Sequence, residues 1–171
     1  MAAKGASAVL SMHYAQLALH VAKRETERLE RIARGHGVSE RLFKHLLAIV
    51  TLRQGVPRNE IEQVIEDGRK EMEEQGGRRQ DLAEALYKAA PGNDHSVAPV
   101  LPDIIGEAFV GSWLNELLPG AARRTVLNAA QGDLSRTAGT VVRGVLDFIP
   151  WGEGGRGSKE VEDIHKVLVE C

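Results

Sequence analysis

Cysteine occurs once in the 171 residues, at Cys171. A disulfide framework and a cysteine metal site are therefore both excluded within one chain. The compartment this suggests is the reducing cytoplasm. Aromatic residues make up 4 % of the chain, while Ala, Leu, Glu and Arg are plentiful, and that balance favours helices over sheets. Charge of one sign is also lacking: the net charge is −2, which gives no electrostatic case for nucleic acid or an anionic membrane surface. No run approaches the roughly 18 apolar residues of a membrane span. The start, Met1-Ala2-Ala3-Lys4-Gly5-Ala6-Ser7-Ala8-Val9-Leu10, has one early lysine and a short apolar run that His13, Gln16 and His20 interrupt. It reads as the beginning of a helix with Ser7 as a candidate cap rather than as a signal peptide.

What is present is helical periodicity. Residues 7–33 form one long helical pattern, in which Leu10, Tyr14, Leu17 and Val21 step by helical spacing and mark the expected buried face. Glu27 with Arg31 and Glu30 with Arg34 are opposite charges four apart, each pair worth a few tenths of a kcal/mol. Gly35-His36-Gly37 ends the pattern. Ser39 caps a second helix over 40–54 that is apolar nearly all round, so it should be buried on most sides. A third helix opens at Pro57 and Asn59, with Ile61, Val64 and Ile65 inward. Asp81 and Glu84 read as a capping-box variant for a short helix over 82–90. Pro91-Gly92-Asn93-Asp94 is a turn, and 95–100 is the best extended segment, expected to pair near 77–80. Further helices are expected over 103–118, 121–130, 134–148 and 159–170. The last follows a glycine-rich linker, with Ser158 a candidate cap and Val161, Ile164, Val167 and Leu168 as its stripe.

The most informative segment is Pro99-Val100-Leu101-Pro102-Asp103-Ile104-Ile105-Gly106-Glu107-Ala108-Phe109-Val110. Pro102 sits where a helix can begin, and Asp103 can cap it and complement its positive end. Asp103 and Glu107, four apart, share a helix face and invite an acid–base or metal reading. The better reading is structural: Asp103 caps, Glu107 meets an arginine from the first helices or from 121–130, and Gly106 lets another backbone approach. No two of the six histidines (His13, His20, His36, His45, His95, His165) stand four apart, as a helical zinc pair requires. Neither a Gly-x-Ser-x-Gly nucleophile nor a partner for Cys171 can be assigned.

The order of these pieces resembles the middle of a bacterial STAND ATPase (signal-transduction ATPase with numerous domains), in which a P-loop domain is followed by a helical lid and a winged helix. His20-Val21-Ala22-Lys23-Arg24-Glu25 is similar to the lid's His-x-x-x-Arg-Glu stretch. The apolar helix Leu46-Leu47-Ala48-Ile49-Val50-Thr51-Leu52 before Gly55 also resembles the lid. Asp81-Leu82-Ala83-Glu84-Ala85-Leu86-Tyr87 resembles a winged-helix segment, and Pro102-Asp103 with Gly106-Glu107 resembles the element after the wing. The likeness runs from about Leu17 to Leu118. In that family a winged-helix histidine contacts nucleotide phosphate, and His95 is the one histidine in the expected wing. The chain departs from the family at the nucleotide site. Gly152-Glu153-Gly154-Gly155-Arg156-Gly157-Ser158-Lys159 has Ser158 between the last glycine and the lysine, and no strand pattern precedes it, whereas a P-loop needs Gly-Lys adjacent after a strand.

The expected fold class is all-α, a helical lid bundle plus a winged-helix-like segment with a short β wing, followed by helical hairpins. Its expected divisions are 1–74 (lid), 75–118 (winged helix with the Pro-Asp-x-x-Gly-Glu helix), 119–148 (hairpin) and 149–171 (glycine-rich linker and terminal helix). The expected function is a non-catalytic regulatory or protein-interaction module without a cofactor, ATP or ADP entering only where the chain is joined to a P-loop domain. Expected partners are a protein, a P-loop NTPase domain or a second copy of the chain, with no membrane. The apolar contact is expected at Trp113, Leu117 and Trp151, with Val126 and Phe148. The alternative, a winged-helix DNA-binding regulator, is poorly served by charge. Within the expected winged-helix segment Arg78-Arg79 is the lone basic cluster, and the helix 103–118 carries no Arg or Lys.

Overall fold

The computed structural model describes residues 2–75, 77–93, 96–148 and 159–171, with side chains from Tyr14 onward, Pro119 excepted. Among them are eight helices: α1 Ala2–Gly35, α2 Glu40–Leu52, α3 Arg58–Met72, α4 Arg79–Ala89, α5 Asp103–Glu116, α6 Pro119–Gly132, α7 Leu134–Asp147 and α8 Lys159–Glu170. The stops and starts have local causes. Gly37, at φ 64°, turns the chain out of α1, a conformation glycine adopts without steric cost. Ser39 then accepts the Leu42 N–H at 3.2 Å and caps α2. Asp133 caps α7 by accepting the Arg136 N–H at 3.0 Å. Two expected caps are different. Ser7 lies inside α1, which already runs from Ala2. Arg78 stands at the N-cap of α4 with no side-chain bond, and Asp81 pairs with Arg78 instead of closing a capping box. Ser158 lies outside the described residues.

One hydrophobic core runs from Ala15 to Leu168, crossing all four expected divisions. Helix α5 is its axis, packing against α1, α2, α6, α7 and α8. The second helix is buried as its composition requires, with Leu42, Phe43, Leu46, Leu47, Val50 and Leu52 all fully enclosed. Helix α8 docks where Gly111 leaves room. A Cβ on that glycine would lie 2.5 Å from Ile164 Cγ2.

The facing of α1 reverses the expectation. Tyr14 and Leu17 are each 59 % exposed and Val21 40 %, while Ala15, Ala18, Ala22, Leu29 and Ala33 are buried. The alanine stripe keeps helical spacing as well as the large residues do, and small side chains permit close helix packing.

No strand is present among the described residues, so the expected β wing is not seen there. Val97 forms isolated antiparallel bridges with Val56 and Pro91, and Val56 and Val97 exchange N–H···O bonds of 2.9 Å in both directions. The segment after the turn therefore pairs with the α2–α3 connection rather than with 77–80. Gly55, at φ 101°, makes this approach possible, since a Cβ there would stand 3.2 Å from the Val97 carbonyl oxygen.

The facing of α1 is directly testable. Ala18→Leu should destabilise the fold by about 1–3 kcal/mol through overpacking, and Leu17→Ala should change stability by no more than about 0.5 kcal/mol. Urea unfolding of the two variants distinguishes this orientation from the opposite one.

Candidate functional site

The extended segment before α5 is fixed from below. Thr51, near the end of α2, donates its hydroxyl to Leu47 O at 2.8 Å and accepts the Val100 N–H at 3.2 Å. The Val100 carbonyl then points at Gly106, where a Cβ would lie 2.5 Å from its oxygen and 2.9 Å from Thr51 Cγ2. Thus α2, the segment 97–100 and α5 meet at a point with no space for a side chain. Pro102 is the N-cap residue of α5, one position earlier than the sequence suggests, and Asp103 occupies the first turn. No side chain caps the helix. The capping role expected of Asp103 is not made, because a residue already inside the helix points away from the N–H groups a cap would take. Pro102 supplies its carbonyl instead, accepting from Ile105 at 2.8 Å and Gly106 at 3.1 Å.

Glu107 lies one turn deeper and is 2 % exposed. Its arginine comes from α7 rather than from the first helices or α6: Arg143 Nε donates to Glu107 Oε1 at 2.8 Å. Arg143 lies one residue before Gly144, which faces both Glu107 of α5 and, more tightly, Leu168 of α8. Thr140 donates to Leu52 O at 3.2 Å and accepts from Gln54 Nε2 at 3.0 Å, tying α7 to the end of α2. Glu107 Oε2 is buried without a hydrogen-bond partner of its own. Burial pushes the Glu107 carboxyl up, the neighbouring Asp147 carboxyl pushes the same way, and Arg143 offsets part of this, leaving the group at about 7.

Above this pair the surface opens into a groove of about 770 Å³ lined by Tyr14, Leu101, Pro102, Asp103, Ile104 and Asp147. Tyr14 and Leu101 are exposed, at 59 % and 62 %. Asp103 and Asp147 are its charged lining residues, and no Lys, Arg or His lines it among the described residues.

A second buried polar cluster lies between α2, α3, α5 and α6. His45, fully enclosed in the apolar α2, accepts the Trp113 indole N–H on Nδ1 at 3.4 Å. Its Nε2 stands 3.3 Å from Glu71 Oε2, off the line of a hydrogen bond. Thr125 donates to Glu71 Oε1 at 2.7 Å, and Asn128 Nδ2 to Oε2 at 3.1 Å. Burial works to raise the Glu71 carboxyl, but His45, Thr125 and Asn128 together outweigh it and hold the group below the ordinary carboxylate range. The hydroxyl here faces a carboxylate, with the imidazole beyond it, so the geometry provides no hydroxyl–imidazole pair for nucleophilic attack. It holds four helices together.

The residues expected to form an exposed contact are mostly core. Trp113 is 3 % exposed, Val126 8 % and Phe148 0 %, and Leu117 is half-buried. The indole of Trp113 is committed to His45 and to Lys44, whose Nζ sits 5.2 Å from its ring centre. A lone polar residue inside an apolar helix requires an internal partner, which is the signal by which His45 pointed to Trp113 and Glu71. Trp151, His95 and the glycine-rich run 152–158 lie outside the described residues, and Lys159 opens α8. Among the described residues no three His, Cys, Asp or Glu side chains are placed to hold a metal ion, and no helix is long and apolar enough to cross a membrane. Comparison with protein-family models, with curated proteins and with solved structures found no match.

The two carboxylates give stability opposite slopes with pH. Glu107 titrates higher in the folded chain, near 7, than its ordinary 4.5. The folded state therefore holds the extra proton between those values, and stability falls as pH rises through that window. Glu107→Gln should flatten this slope and leave the variant more stable than the parent at pH 8 by about 1–3 kcal/mol, read by urea midpoints at pH 5 and pH 8. Glu71 acts the other way, its contribution present above the ordinary carboxylate value and lost as pH falls through its lowered one. Gly106→Ala should cost about 1–3 kcal/mol because the atom it strikes belongs to backbone, which a thermal melt will register.

Proposed function

We propose that the chain is a non-catalytic regulatory or protein-interaction module of the cytoplasm, resembling the lid and winged-helix part of a STAND NTPase. In that role it would couple nucleotide state or partner binding to attached helical repeats, with ATP or ADP entering only through a joined P-loop domain. The observation that carries the reading is the facing of α1. Tyr14, Leu17 and Val21 lie on successive turns of one helix and point to water, while alanines fill the core side. Apolar side chains scattered singly on a surface need no explanation, but three in a row on one face mark a contact. The lid-like stretch is on the same helix, and His20, Lys23 and Arg24 are exposed there too.

The DNA-binding alternative draws little from the arrangement. Arg78 pairs with Asp81 at 3.1 Å and Arg79 with Glu66 at 3.2 Å, so both arginines of the expected winged-helix segment already face carboxylates on the surface of α3 and α4. Phosphate contact would have to break both pairs.

The test uses the full chain in its source cells. A photo-reactive side chain at position 17 should form a discrete covalent adduct, with a second copy or with another protein, and the same side chain at the exposed position 62 should not. Purified protein should bind neither labelled ATP nor duplex DNA. Equal labelling at both positions or turnover of ATP overturns the reading. Salt-sensitive DNA binding that is lost in an Arg78→Ala, Arg79→Ala double variant overturns it in favour of the alternative.

A further inference from the structure

We propose that the recess on α5 and α7 filled by α8 is a docking site for a helix of a partner protein, and that α8 is the built-in occupant such a helix displaces. The partner helix is defined by α8 itself: branched apolar residues at the places of Val161, Ile164 and Leu168, three and four apart on one face. The proposal concerns a surface other than the exposed face of α1 and stands independently of that reading.

The recess is cut for a helix. On α5 a Cβ at Gly111 would stand 2.5 Å from Ile164 Cγ2, and on α7 a Cβ at Gly144 would stand 3.0 Å from Leu168 Cδ1. Each glycine thus admits one large side chain of α8, and those two side chains are neighbours on one helix face. Val161, Ile164 and Leu168 are buried, while Lys159, Glu160, Glu162, Lys166 and Glu170 face water. What α8 lacks is a polar tie. Among the described residues, each of the other seven helices shares a side-chain hydrogen bond or ion pair with another helix. Arg28 of α1 donates to Ala89 O of α4 at 2.8 Å, and Arg79 of α4 meets Glu66 of α3. Thr125 of α6 donates to Glu71 of α3 at 2.7 Å. Thr140 of α7 donates to Leu52 O of α2 at 3.2 Å, and Arg143 of α7 to Glu107 of α5 at 2.8 Å. The ion pair of α8 is internal, Lys166 with Glu170. An apolar hold is non-directional and follows the area covered, so a second helix with the same stripe satisfies the recess as α8 does. A helix fastened by buried polar bonds cannot be exchanged without leaving their partners unmet. Concentration then selects the occupant. Residues 149–158 connect α7 to α8 in the sequence, and a short tether holds α8 at an effective concentration of the order of millimolar. Below that concentration the α8 of a second copy has no advantage over the tethered one. A partner helix wins by fitting the recess better, which makes α8 a threshold against weak ligands.

Hydrogen exchange of the full chain, followed by mass spectrometry, should show the amides of α8 exchanging about tenfold or more faster than those of α2 and α5, because α8 opens without the rest. The docking probe is a labelled synthetic peptide of residues 159–171, read by fluorescence anisotropy. It should bind a full-length Val161→Ser, Ile164→Ser variant, whose own α8 is weakened, about a hundredfold or more tighter than the parent, where the tethered helix competes. Adding Gly111→Leu to that variant should abolish the binding, and a peptide carrying Ile164→Ser with Leu168→Ser should not bind. Circular dichroism and urea unfolding should show that the weakened variant keeps a cooperative fold. Loss of that fold, exchange of α8 at the rate of α5, equal binding to parent and weakened variant, or binding that survives Gly111→Leu overturns the proposal. So does a dimer of the parent formed by exchange of α8 at micromolar concentration, which would make a second copy the occupant. A position-17 adduct together with no peptide binding rejects the recess and leaves the α1 reading intact.

Discussion

The fold depends on one helix being thin enough to sit in the middle. Helix α5 has neighbours on nearly every side, and at two points the room for them exists only because the residue is glycine. At Gly106 the occupant is a backbone carbonyl, and at Gly111 it is the Ile164 side chain. Between and beyond these positions Ala108, Phe109, Val110, Trp113 and Leu114 fill the remaining directions. A helix that is apolar all round has no preferred outer face, so its neighbours are arranged by where it is narrow. The segment 97–100, α8 and the alanine face of α1 all exploit small residues, on α5 or on themselves. Packing at interior density leaves little latitude to exchange them.

Within that packed frame the ionisable groups divide by what surrounds them. Glu71 accepts hydrogen bonds from two side chains and faces the His45 imidazole, so its charge is supported. Glu107 is enclosed with one guanidinium and a second carboxyl, so its charge is opposed. Both are glutamates buried between helices, and the difference comes wholly from the partners that converge on them. The first arrangement fastens a structure. The second lies beside Asp147, which also lines the groove of Tyr14 and Leu101.

Much of this was legible in the sequence, and the limits have a physical cause. Glycine, proline and capping side chains act on their own few residues, which is why Ser39, Gly37, Gly55 and the Pro119 region delimit helices without reference to the rest of the chain. The inward faces of α2, α3 and α8 were also legible, because on those helices Leu46, Ile65, Ile164 and their like offer no competing stripe. On α1 two stripes compete, large residues at 14, 17 and 21 and alanines at 15, 18 and 22, and helical spacing alone does not decide between them. The same limitation hid the partner of Glu107. Four residues of spacing place it on the face of Asp103, but the choice of Arg143 over an arginine of α6 depends on how α7 packs against α5, which local spacing does not encode. Trp113 misled for a related reason: a large aromatic residue serves an interface or a core equally well, and the histidine that claims it is 68 positions away.

The central position of α5 also has a consequence in time. The helices that surround it include α1 and α2, which are complete by Leu52, yet α5 ends about 60 residues later at Glu116. At ribosomal elongation rates of about 5–20 residues per second, the early helices wait several seconds for the element against which they close. During that interval Leu42, Phe43, Leu46 and Leu47 have no α5 to cover them. The alanine face of α1, which offers little to stick to, is the side that a waiting chain can most safely leave uncovered.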